Sequence, residues 1–472
     1  MLVSKLLECL GCEYQGQDKD VKIITDNSKK CGAESIFVCH ESTGKYIDEA
    51  LKNGAILVVA KEKFNDKCIK VEDTRKAYSL LCAEFFENSH KKLKLIGVTG
   101  TNGKTTVASM IYHILSASGK KCGLVGTTGY LKCEGKEESA LTTPDPFELH
   151  RLFYEMVKCS TEFCVLEASS QGLIQQRLYP LEFESAIFTN ITRDHLDYHG
   201  TMENYISAKK ELFKNSHRCI INKDDPYYKE IEQVSKGEII TYSLKDDEAV
   251  FTAKGIRFSE GSTDYLIVSE SLIHRLKLRL PGSYNVANSM AAVVACLKEG
   301  LSLEEIASAL KTFYGVKGRF EILPIDKDYK VIIDYAHTPD SLKQVLLSLA
   351  SFPKNRVITL FGCGGNRDEG KRAEMGSVAV AYSDVVILTA DNPRNEPALD
   401  IIDDILKGMK GTKTPVFVFE NRTKAIEYAL KTARKNDIIL LAGKGHETYQ
   451  IIGDEKIPYD ERKIVASILQ DN

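Results

Sequence analysis

Residues 99–106 have the sequence Thr-Gly-Thr-Asn-Gly-Lys-Thr-Thr and follow an apolar run, Lys94–Thr99, that is predicted to be a strand. A helical pattern follows, and a strand, a Gly-rich turn and a helix in this order are typical of a phosphate-binding loop. We expect Lys104 to reach the β- and γ-phosphates of a nucleotide and Thr105 to ligate Mg²⁺. Gly97 lies six residues before Gly103, where the common pattern has five. A Gly-rich turn that binds no ligand is therefore the alternative.

Further strands alternate with helices after this loop. The apolar runs lie at residues 163–166, 185–189, 218–222 and 238–242, and two helical patterns follow at 285–299 and 302–313. Strands that alternate with helices of this length favour a mostly parallel sheet with right-handed crossovers. The pattern predicts a central P-loop-type domain over residues 91–316.

The two ends of the chain predict one further domain each. Residues 1–90 alternate short strands with helices, which is typical of a small α/β domain. From residue 317 onward, five strand-helix units have their strands at 331–335, 356–361, 385–389, 416–419 and 438–441. Five such units predict a Rossmann-like sheet over 317–472, with ligands at the carboxyl ends of its strands. The predicted fold class is therefore α/β with three domains.

Composition excludes several classes of function. The 472 residues include 63 Lys and Arg and 66 Asp and Glu, so the net charge of -3 gives no global field that would attract nucleic acid. No apolar run approaches the roughly 18 residues that a membrane span needs, and Glu8 interrupts the N-terminal apolar stretch, unlike a secretory signal. We expect a cytoplasmic protein with no membrane span and no nucleic-acid partner.

Glu167 ends one predicted strand, and the run Asp194-His-Leu-Asp-Tyr-His199 follows the next. A carboxylate and an imidazole at neighbouring strand ends could hold Mg²⁺ beside the γ-phosphate of a nucleotide. A zinc hydrolase, or a polar loop capped by its aspartates, would give the same residues. These three interpretations remain open on the sequence alone.

Lys209 lies on a predicted helix with apolar neighbours around it. A solvated surface lysine is one interpretation. If the side chain is enclosed beside a metal, burial would favour the neutral amine, which reacts with CO₂ to form a metal-binding carbamate. The sequence does not choose between the two.

Charged residues of both signs, Arg367, Asp391, Arg394 and Glu447, lie with Asn392 and Gly443 at the predicted strand ends of the C-terminal domain. Such a mixture suits an amino acid, because arginine binds a carboxylate through two hydrogen bonds and carboxylates bind an ammonium group. Salt bridges within the loops are the alternative.

Ten stretches in a fixed order together resemble the Mur ligases, and among them the UDP-N-acetylmuramoyl-tripeptide synthetases. The stretches are Gly100-Thr-Asn-Gly-Lys-Thr-Thr106, Thr142-Thr-Pro144, Glu167-Ala-Ser-Ser170, residues 189–200, Ala208-Lys209, Gly282-Ser-Tyr-Asn-Val-Ala-Asn288, Asp334-Tyr-Ala-His-Thr-Pro-Asp340, residues 362–368, Asp391-Asn-Pro-Arg394 and Gly443-Lys-Gly-His-Glu447. The resemblance covers almost the whole chain.

The resemblance implies a monomeric ATP- and Mg²⁺-dependent ligase of peptidoglycan biosynthesis. It would add meso-diaminopimelate to the D-glutamate γ-carboxylate of UDP-N-acetylmuramoyl-L-alanyl-D-glutamate through an acyl phosphate. The N-terminal domain would bind UDP, the central domain ATP and the C-terminal domain the amino acid. The Asp-Asn-Pro-Arg stretch implies diaminopimelate because Arg394 can bind the distal carboxylate that lysine lacks.

The resemblance also implies roles for individual residues. The nucleotide-binding residues would be Gly100, Thr101, Asn102, Gly103, Lys104, Thr105, Thr106, Asn288, Arg319 and Asp334. The metal ligands would be Thr105, Glu167, His195 and Lys209 as a carbamate, and the catalytic residues Lys104, Lys209 and His195. Ser28 would contact UDP, and the dipeptide residues would be Thr142, Thr143, Ser169, Gln175 and Arg177. Diaminopimelate would contact Arg367, Asp391, Asn392, Arg394, Gly443 and Glu447.

Four positions depart from the pattern of the family, namely Lys29, Gln171, Asn366 and Asn421. The first two affect the expected UDP and muramoyl-dipeptide contacts. Three alternatives remain open: the same ligase acting with lanthionine or L-lysine, a ligase similar to folylpolyglutamate synthetase, and a nucleotide-binding protein without catalytic activity.

Overall fold

The N-terminal part of the chain forms a small parallel sheet. A computed structural model describes residues 1–40, 45–132 and 135–470. Four parallel strands lie in chain order: β1 (Ile23–Thr25), β2 (Ser35–Val38), β3 (Ala55–Ala60) and β4 (Cys68–Lys70). Three helices accompany them: α1 (Val3–Glu8), α2 (Lys45–Lys52) and α3 (Thr74–Phe85). Apolar residues from both faces of the sheet form two buried clusters, because a parallel sheet is covered on both sides.

The central sheet has eleven strands and holds the phosphate-binding sequence near its middle. The strands are β5 (Lys94–Thr99), β6 (Cys122–Gly126), β7 (Gly129–Leu131), β8 (Lys136–Glu137), β9 (Phe163–Glu167), β10 (Phe183–Phe188), β11 (Ser216–Asn222), β12 (Glu238–Ser243), β13 (Phe251–Ser259), β14 (Ser262–Ser269) and β15 (Leu272–Leu278). Their order is β15-β14-β13-β12-β11-β10-β5-β9-β6-β7-β8. The strands from β6 to β13 in this order are parallel, as predicted.

Antiparallel strands extend both edges of this sheet, which the sequence analysis did not predict. Strands β13, β14 and β15 form a meander at one edge, and β6, β7 and β8 form another at the other edge. Buried and partly exposed positions alternate along most of β14, so one of its faces packs on the core and the other lies nearer to solvent.

Helices cover both faces of the central sheet. They are α4 (Lys104–Ala117), α5 (Pro146–Lys158), α6 (Ser170–Ile174), α7 (Leu196–His199), α8 (Met202–Lys210), α9 (Tyr228–Val234), α10 (Ser283–Lys298) and α11 (Leu303–Leu310). Helices α4 and α10 pack on one face, and α5, α8 and α9 contribute to the apolar cluster on the other. Short 3₁₀ turns lie at Ser28–Lys30, Ser89–Lys92, Glu211–Asn215 and Leu349–Ser351.

The C-terminal sheet has five parallel strands and one short antiparallel edge strand. The strands are β16 (Glu321–Ile322), β17 (Lys330–Asp334), β18 (Val357–Phe361), β19 (Val385–Thr389), β20 (Val416–Phe419) and β21 (Ile438–Ala442). The order β16-β17-β21-β18-β19-β20 places the last strand of the sheet between the first two parallel ones. Strand order reverses there, which opens a crevice at the carboxyl ends.

Five helices and a hairpin complete this domain: α12 (Pro339–Ser348), α13 (Gly370–Tyr382), α14 (Ala398–Lys407), α15 (Arg422–Thr432), α16 (Glu461–Gln470), β22 (Tyr449–Ile452) and β23 (Glu455–Pro458). The predicted α/β class is confirmed by these three helix-covered sheets of four, eleven and six strands. The domain boundaries at residues 90 and 316 remain predictions. Within the described ranges, no helix combines the length and the apolar character that crossing a membrane requires.

Candidate active site

The loop after β5 has a backbone that requires glycine at two positions. The φ angles of Gly100 and Gly103 are 150° and 87°, values that residues with a side chain rarely adopt. A Cβ atom at Gly100 would lie 1.9 Å from Thr189 Oγ1, and one at Gly103 would lie 2.4 Å from Asn288 Oδ1. The loop is therefore closely packed against Thr189, which follows β10, and against α10.

Hydrogen bonds from the segment after β10 hold this loop in shape. Asn190 accepts hydrogen bonds from two backbone amides of the loop. Its carbonyl oxygen accepts from Thr101 N at 2.8 Å, and its side-chain Oδ1 accepts from Asn102 N at 2.9 Å. Thr189 Oγ1 donates to the Asn102 carbonyl at 2.6 Å. The roles of Thr189 and Asn190 were missed in the sequence analysis, because these contacts join residues almost ninety positions apart.

Lys104 is the first residue of α4 and folds back over the loop. Its Nζ donates to the carbonyl oxygens of Gly100 and Thr101, both at 2.9 Å. Burial lowers the pKa of Lys104. Both acceptors are neutral, so a phosphate oxygen at the helix N-terminus would be a stronger partner for this ammonium group.

Glu167 ends β9 with a carboxylate that is only 1% exposed. Its Oε2 accepts from Thr105 Oγ1 (2.8 Å) and Thr127 Oγ1 (3.1 Å), and its Oε1 accepts from Thr127 N (2.8 Å). A buried carboxylate beside the Thr105 hydroxyl offers the hard oxygen ligands that Mg²⁺ prefers. In the part of the chain that the structure describes, no three His, Cys, Asp or Glu side chains form a metal-binding group.

Lys209 lies on α8 and is 1% exposed. Its Nζ donates to Gly100 O at 2.7 Å and lies 4.5 Å from the centroid of the Tyr205 ring. Burial, with a contribution from Lys104, lowers the pKa of Lys209 well below the ordinary value. Of the two interpretations of this residue, the solvated surface lysine is wrong.

His195 precedes the short helix α7 in a left-handed conformation, with φ of 55°. Burial lowers its pKa to about 4, so the imidazole is neutral near pH 7 and could ligate a metal. Its Nε2 lies 3.4 Å from Asp194 Oδ2, and two C-terminal residues, His337 (3.6 Å) and Lys371 (4.0 Å), approach the same carboxylate. Although burial raises the pKa of Asp194, the adjoining basic groups hold it below its usual range.

A cavity of about 330 Å³ lies between the phosphate-binding loop and the C-terminal domain. The predicted nucleotide residues that line it are Asn102, Gly103, Thr105, Thr106, Asn288, Arg319 and Asp334. Leu244, Leu280 and Tyr284 add apolar walls that were missed in the sequence analysis. The volume and the mixed lining suit a small-molecule ligand.

Arg319 and Asp334 form the C-terminal side of this cavity. Arg319 Nη2 donates to Thr105 Oγ1 at 3.3 Å, and its guanidinium lies 4.5 Å from the centroid of the Tyr335 ring. Asp334 accepts hydrogen bonds of 2.7 Å from Phe320 N and Ala336 N. Burial raises the pKa of Asp334. Both residues therefore have fixed positions.

Four of the residues predicted to hold the dipeptide form one hydrogen-bonded chain. Thr143 Oγ1 donates to Ser169 Oγ at 2.9 Å, and Arg177 Nη1 donates to Thr143 O at 2.7 Å. Arg177 also donates to Gln175 Oε1, and Gln175 Nε2 donates to Tyr198 Oη at 2.9 Å. Tyr198 was missed as a site residue, although it lies in a quoted stretch.

Two further residues predicted to contact the UDP-linked substrate, Thr142 and Ser28, lie outside this row of hydrogen-bonded side chains. The hydroxyls of Thr142 and Thr127 are 3.0 Å apart, which places Thr142 beside Glu167. Ser28 is buried on a 3₁₀ turn of the N-terminal domain, where its hydroxyl donates to Glu49 Oε2 at 2.5 Å. Its contact with UDP remains a prediction.

The six C-terminal residues predicted to bind an amino acid converge at the crevice. Asn392 Nδ2 donates to Glu447 Oε2 at 3.0 Å, and Gly443, with φ of 105°, brings the backbone so close that a Cβ would lie 2.4 Å from Asp391 Oδ2. Arg394 Nη1 donates to Gly365 O at 2.9 Å. Burial and the neighbouring Arg367 lower the pKa of Arg394. Two neighbouring guanidinium groups could bind a carboxylate.

The segment 193–199 of the central domain contacts the C-terminal domain. Arg193 binds the Asp368 carboxylate through two hydrogen bonds of 3.0 Å, and Asp197 Oδ2 lies 3.9 Å from Arg367 Nη1. The same segment includes Tyr198, which contacts Gln175. The residues predicted to hold the metal, the dipeptide and the amino acid therefore meet at one segment.

Comparison with known proteins agrees with this arrangement. Residues 98–296 match the Mur ligase middle domain, and residues 318–445 match the Mur ligase, glutamate ligase domain. A UDP-N-acetylmuramoyl-L-alanyl-D-glutamate--2,6-diaminopimelate ligase 1 from Clostridium acetobutylicum is 43% identical, with 99% of each chain covered. The corresponding ligase of Clostridium perfringens is 40% identical, with 100% of each chain covered.

A solved structure of a UDP-N-acetylmuramoyl-L-alanyl-D-glutamate--2,6-diaminopimelate ligase is also similar. It superimposes with a TM-score of 0.71 at 32% identity, and the match covers 100% of this chain and 99% of the other. The chain belongs to the Mur ligase family. The resemblance inferred from the sequence motifs is thus confirmed.

Proposed function

We propose that this protein is an ATP-dependent, ADP-forming ligase of peptidoglycan biosynthesis. It joins meso-diaminopimelate to the D-glutamate γ-carboxylate of UDP-N-acetylmuramoyl-L-alanyl-D-glutamate. The observation that carries this proposal is the segment 193–199, which contacts both the dipeptide residues and the amino-acid residues and contains the candidate metal ligand His195. The cytoplasmic location and the monomeric state remain predictions.

In this proposal, the phosphate-binding loop binds the phosphates of ATP. Lys104 exchanges its two carbonyl partners for the β- and γ-phosphates, and the N-terminus of α4 faces the same charge. Thr105 and Glu167 would hold Mg²⁺, with His195 and Lys209 as the further ligands, and the bound ion would supply charge neutralisation at the phosphates. Arg319 on the C-terminal side of the cavity and Asn288 beside Gly103 also hold the nucleotide.

The proposed reaction has two steps. A γ-carboxylate oxygen attacks the terminal phosphorus of ATP, which releases ADP and forms an acyl phosphate. The amino group of diaminopimelate then attacks the acyl carbon, and phosphate leaves from the tetrahedral intermediate as the amine loses a proton. Phosphorylation is needed because a carboxylate oxygen is a poor leaving group. Thr143, Ser169 and Arg177 orient the dipeptide.

Lys209 acts in this proposal as a carbamate. Its neutral amine adds to CO₂ and loses a proton, which converts a cation into an anion that can ligate Mg²⁺. The burial of the amine and the nearby cation Lys104 both favour the neutral form that this addition requires. A carbamate would then give Lys104 an anionic neighbour.

Recognition of the amino acid rests on charges at both ends of the C-terminal site. Arg394 and Arg367 bind the distal carboxylate of diaminopimelate, and Glu447 and Asp391 bind the distal ammonium. Lanthionine carries the same two groups, whereas L-lysine lacks the carboxylate. The proposal therefore ranks L-lysine last.

The test compares meso-diaminopimelate, lanthionine and L-lysine as substrates of the wild-type enzyme and of Arg394→Ala. We expect meso-diaminopimelate to have the highest kcat/KM in the wild type. Removal of one partner of a buried charge pair weakens binding by at least about 30-fold. Arg394→Ala should therefore lower kcat/KM for diaminopimelate by that factor. The value for L-lysine should change little.

The matched control is Arg257→Ala, which removes an exposed arginine of β13. It should leave all three values unchanged. A wild-type preference for L-lysine, or an equal loss for all three amino acids in Arg394→Ala, would contradict this role of Arg394.

A further inference from the structure

Lys444 lies beneath the amino-acid site, and neither its burial nor its contacts were predicted. We propose that it is a positioning residue that fixes Asn392 and Glu447, and that it thereby makes the site selective for one configuration at the distal carbon of diaminopimelate. This inference rests on the proposed function. It assigns to Lys444 a role in selecting the substrate, separate from the role of Arg394.

The side chain of Lys444 is completely buried, with 0% exposure. Its Nζ donates to Asn392 Oδ1 at 3.1 Å and to Glu447 Oε2 at 3.0 Å, and it lies 3.8 Å from Asp391 Oδ1. A buried ammonium group has no water to bind, so it must direct its N–H groups to these acceptors. Lys444 therefore links three residues of the amino-acid site to one another.

These contacts determine the orientation of the Asn392 amide. Its Oδ1 accepts from both Lys444 Nζ and Ile451 N (3.0 Å), so its Nδ2 must face the opposite way. There it donates to Glu447 Oε2 at 3.0 Å. Lys444, Asn392 and Glu447 thus form a closed triangle of hydrogen bonds, which holds one oxygen of Glu447 in place.

Lys444 also sets the charge of the site. Asp391 and Glu447 are both carboxylates, and the ammonium group of Lys444 balances one of these two negative charges. The remaining negative charge suits a single ammonium group of a ligand. Arg394 and Arg367 provide the complementary positive charge for a carboxylate.

A carbon atom that carries both an ammonium and a carboxylate group is recognised at three points. The arginines bind the carboxylate, Glu447 binds the ammonium, and the rest of the ligand chain leads toward the reaction centre. Inversion of that carbon moves one of the two charged groups away from its partner. Discrimination between the two configurations therefore depends on a rigidly held Glu447, and Lys444 provides that rigidity.

The test measures kcat and KM of Lys444→Met and Lys444→Gln with meso- and LL-diaminopimelate, together with KM for ATP and for the UDP-linked dipeptide. Mutation of a residue that orients the ligands of a metal typically lowers affinity or activity by about 10- to 100-fold. Lys444 orients Glu447 in a comparable way, so we expect a rise of this size in KM for the meso isomer. The preference for the meso over the LL isomer should fall at least about fivefold, because the two isomers lose unequal contacts. KM for ATP should stay unchanged.

The matched control is Lys431→Met, which changes an exposed lysine of α15 paired with Glu427, and it should leave every value unchanged. A variant that loses activity equally with both isomers and also raises KM for ATP would show a purely structural role and overturn the inference. If Lys444→Met does not fold, Lys444→Gln, which keeps a hydrogen-bond donor, must show the changed isomer preference. A wild-type enzyme inactive with both isomers would overturn the proposed function itself.

Discussion

Replacement of Lys104 by alanine is expected to lower the single-turnover rate of ATP-dependent product formation by about 1,000-fold. This is the upper end of the effect of removing one preorganised hydrogen-bond donor to a developing negative charge. The variant loses the only side chain of the loop that donates from an ammonium group. The backbone of the loop should persist, because it is held by Thr189 and Asn190.

The measurement mixes enzyme in excess over ATP with the UDP-linked dipeptide and diaminopimelate, and it follows the amide product with time. Lys91→Ala, a change of an exposed lysine in the 3₁₀ turn before β5, is the control and should retain the wild-type rate. An undiminished rate in Lys104→Ala would refute the role of the phosphate-binding loop.

Replacement of Lys209 by alanine is expected to lower kcat by about 100-fold, an effect of the size seen when the support of a metal ligand is lost. The variant cannot form a carbamate, so Glu167 and His195 would lose a partner in holding the metal. For the same reason, wild-type activity should fall in buffer stripped of CO₂ and return when bicarbonate is added.

Lys210→Ala is the matched control, because the neighbouring lysine points away from the loop and pairs with Glu230 at 2.7 Å. This variant should keep its activity and its dependence on bicarbonate. Labelling with ¹³C-bicarbonate should give a carbamate resonance in the wild type and in Lys210→Ala. A fully active wild-type enzyme without that resonance would rule out the carbamate.

Most of the parallel strands were predictable because they are buried on both faces. Strands β5 and β19 have the predicted bounds, since all but the first residue of each is buried. Strand β20 also has the predicted bounds, although it lies at the sheet edge and is partly exposed, because its four residues are all apolar. The meander of β13, β14 and β15 was not predicted. Its residues alternate between the core and the more exposed side, so charged residues such as Lys254 and Arg257 interrupt each apolar run.

The candidate site was predictable where its residues lie in a local motif. Lys104 and Thr105 follow from one short stretch, and the C-terminal residues follow from their places after strands. The partners of these residues were not predictable, because contacts such as Glu167 with Thr127 and Arg193 with Asp368 join distant parts of the chain. Lys444 offered one signal, its place between two glycines directly after the apolar strand β21.

The transfer of a carboxylate oxygen to phosphate distinguishes the acyl phosphate route from other ways of using ATP. The enzyme is supplied with UDP-linked dipeptide whose D-glutamate γ-carboxylate carries ¹⁸O in both positions, together with ATP and meso-diaminopimelate. The acyl phosphate route predicts ADP and inorganic phosphate that contains one ¹⁸O atom per amide bond formed. Amide formation with unlabelled phosphate, or with the label in AMP, would contradict it.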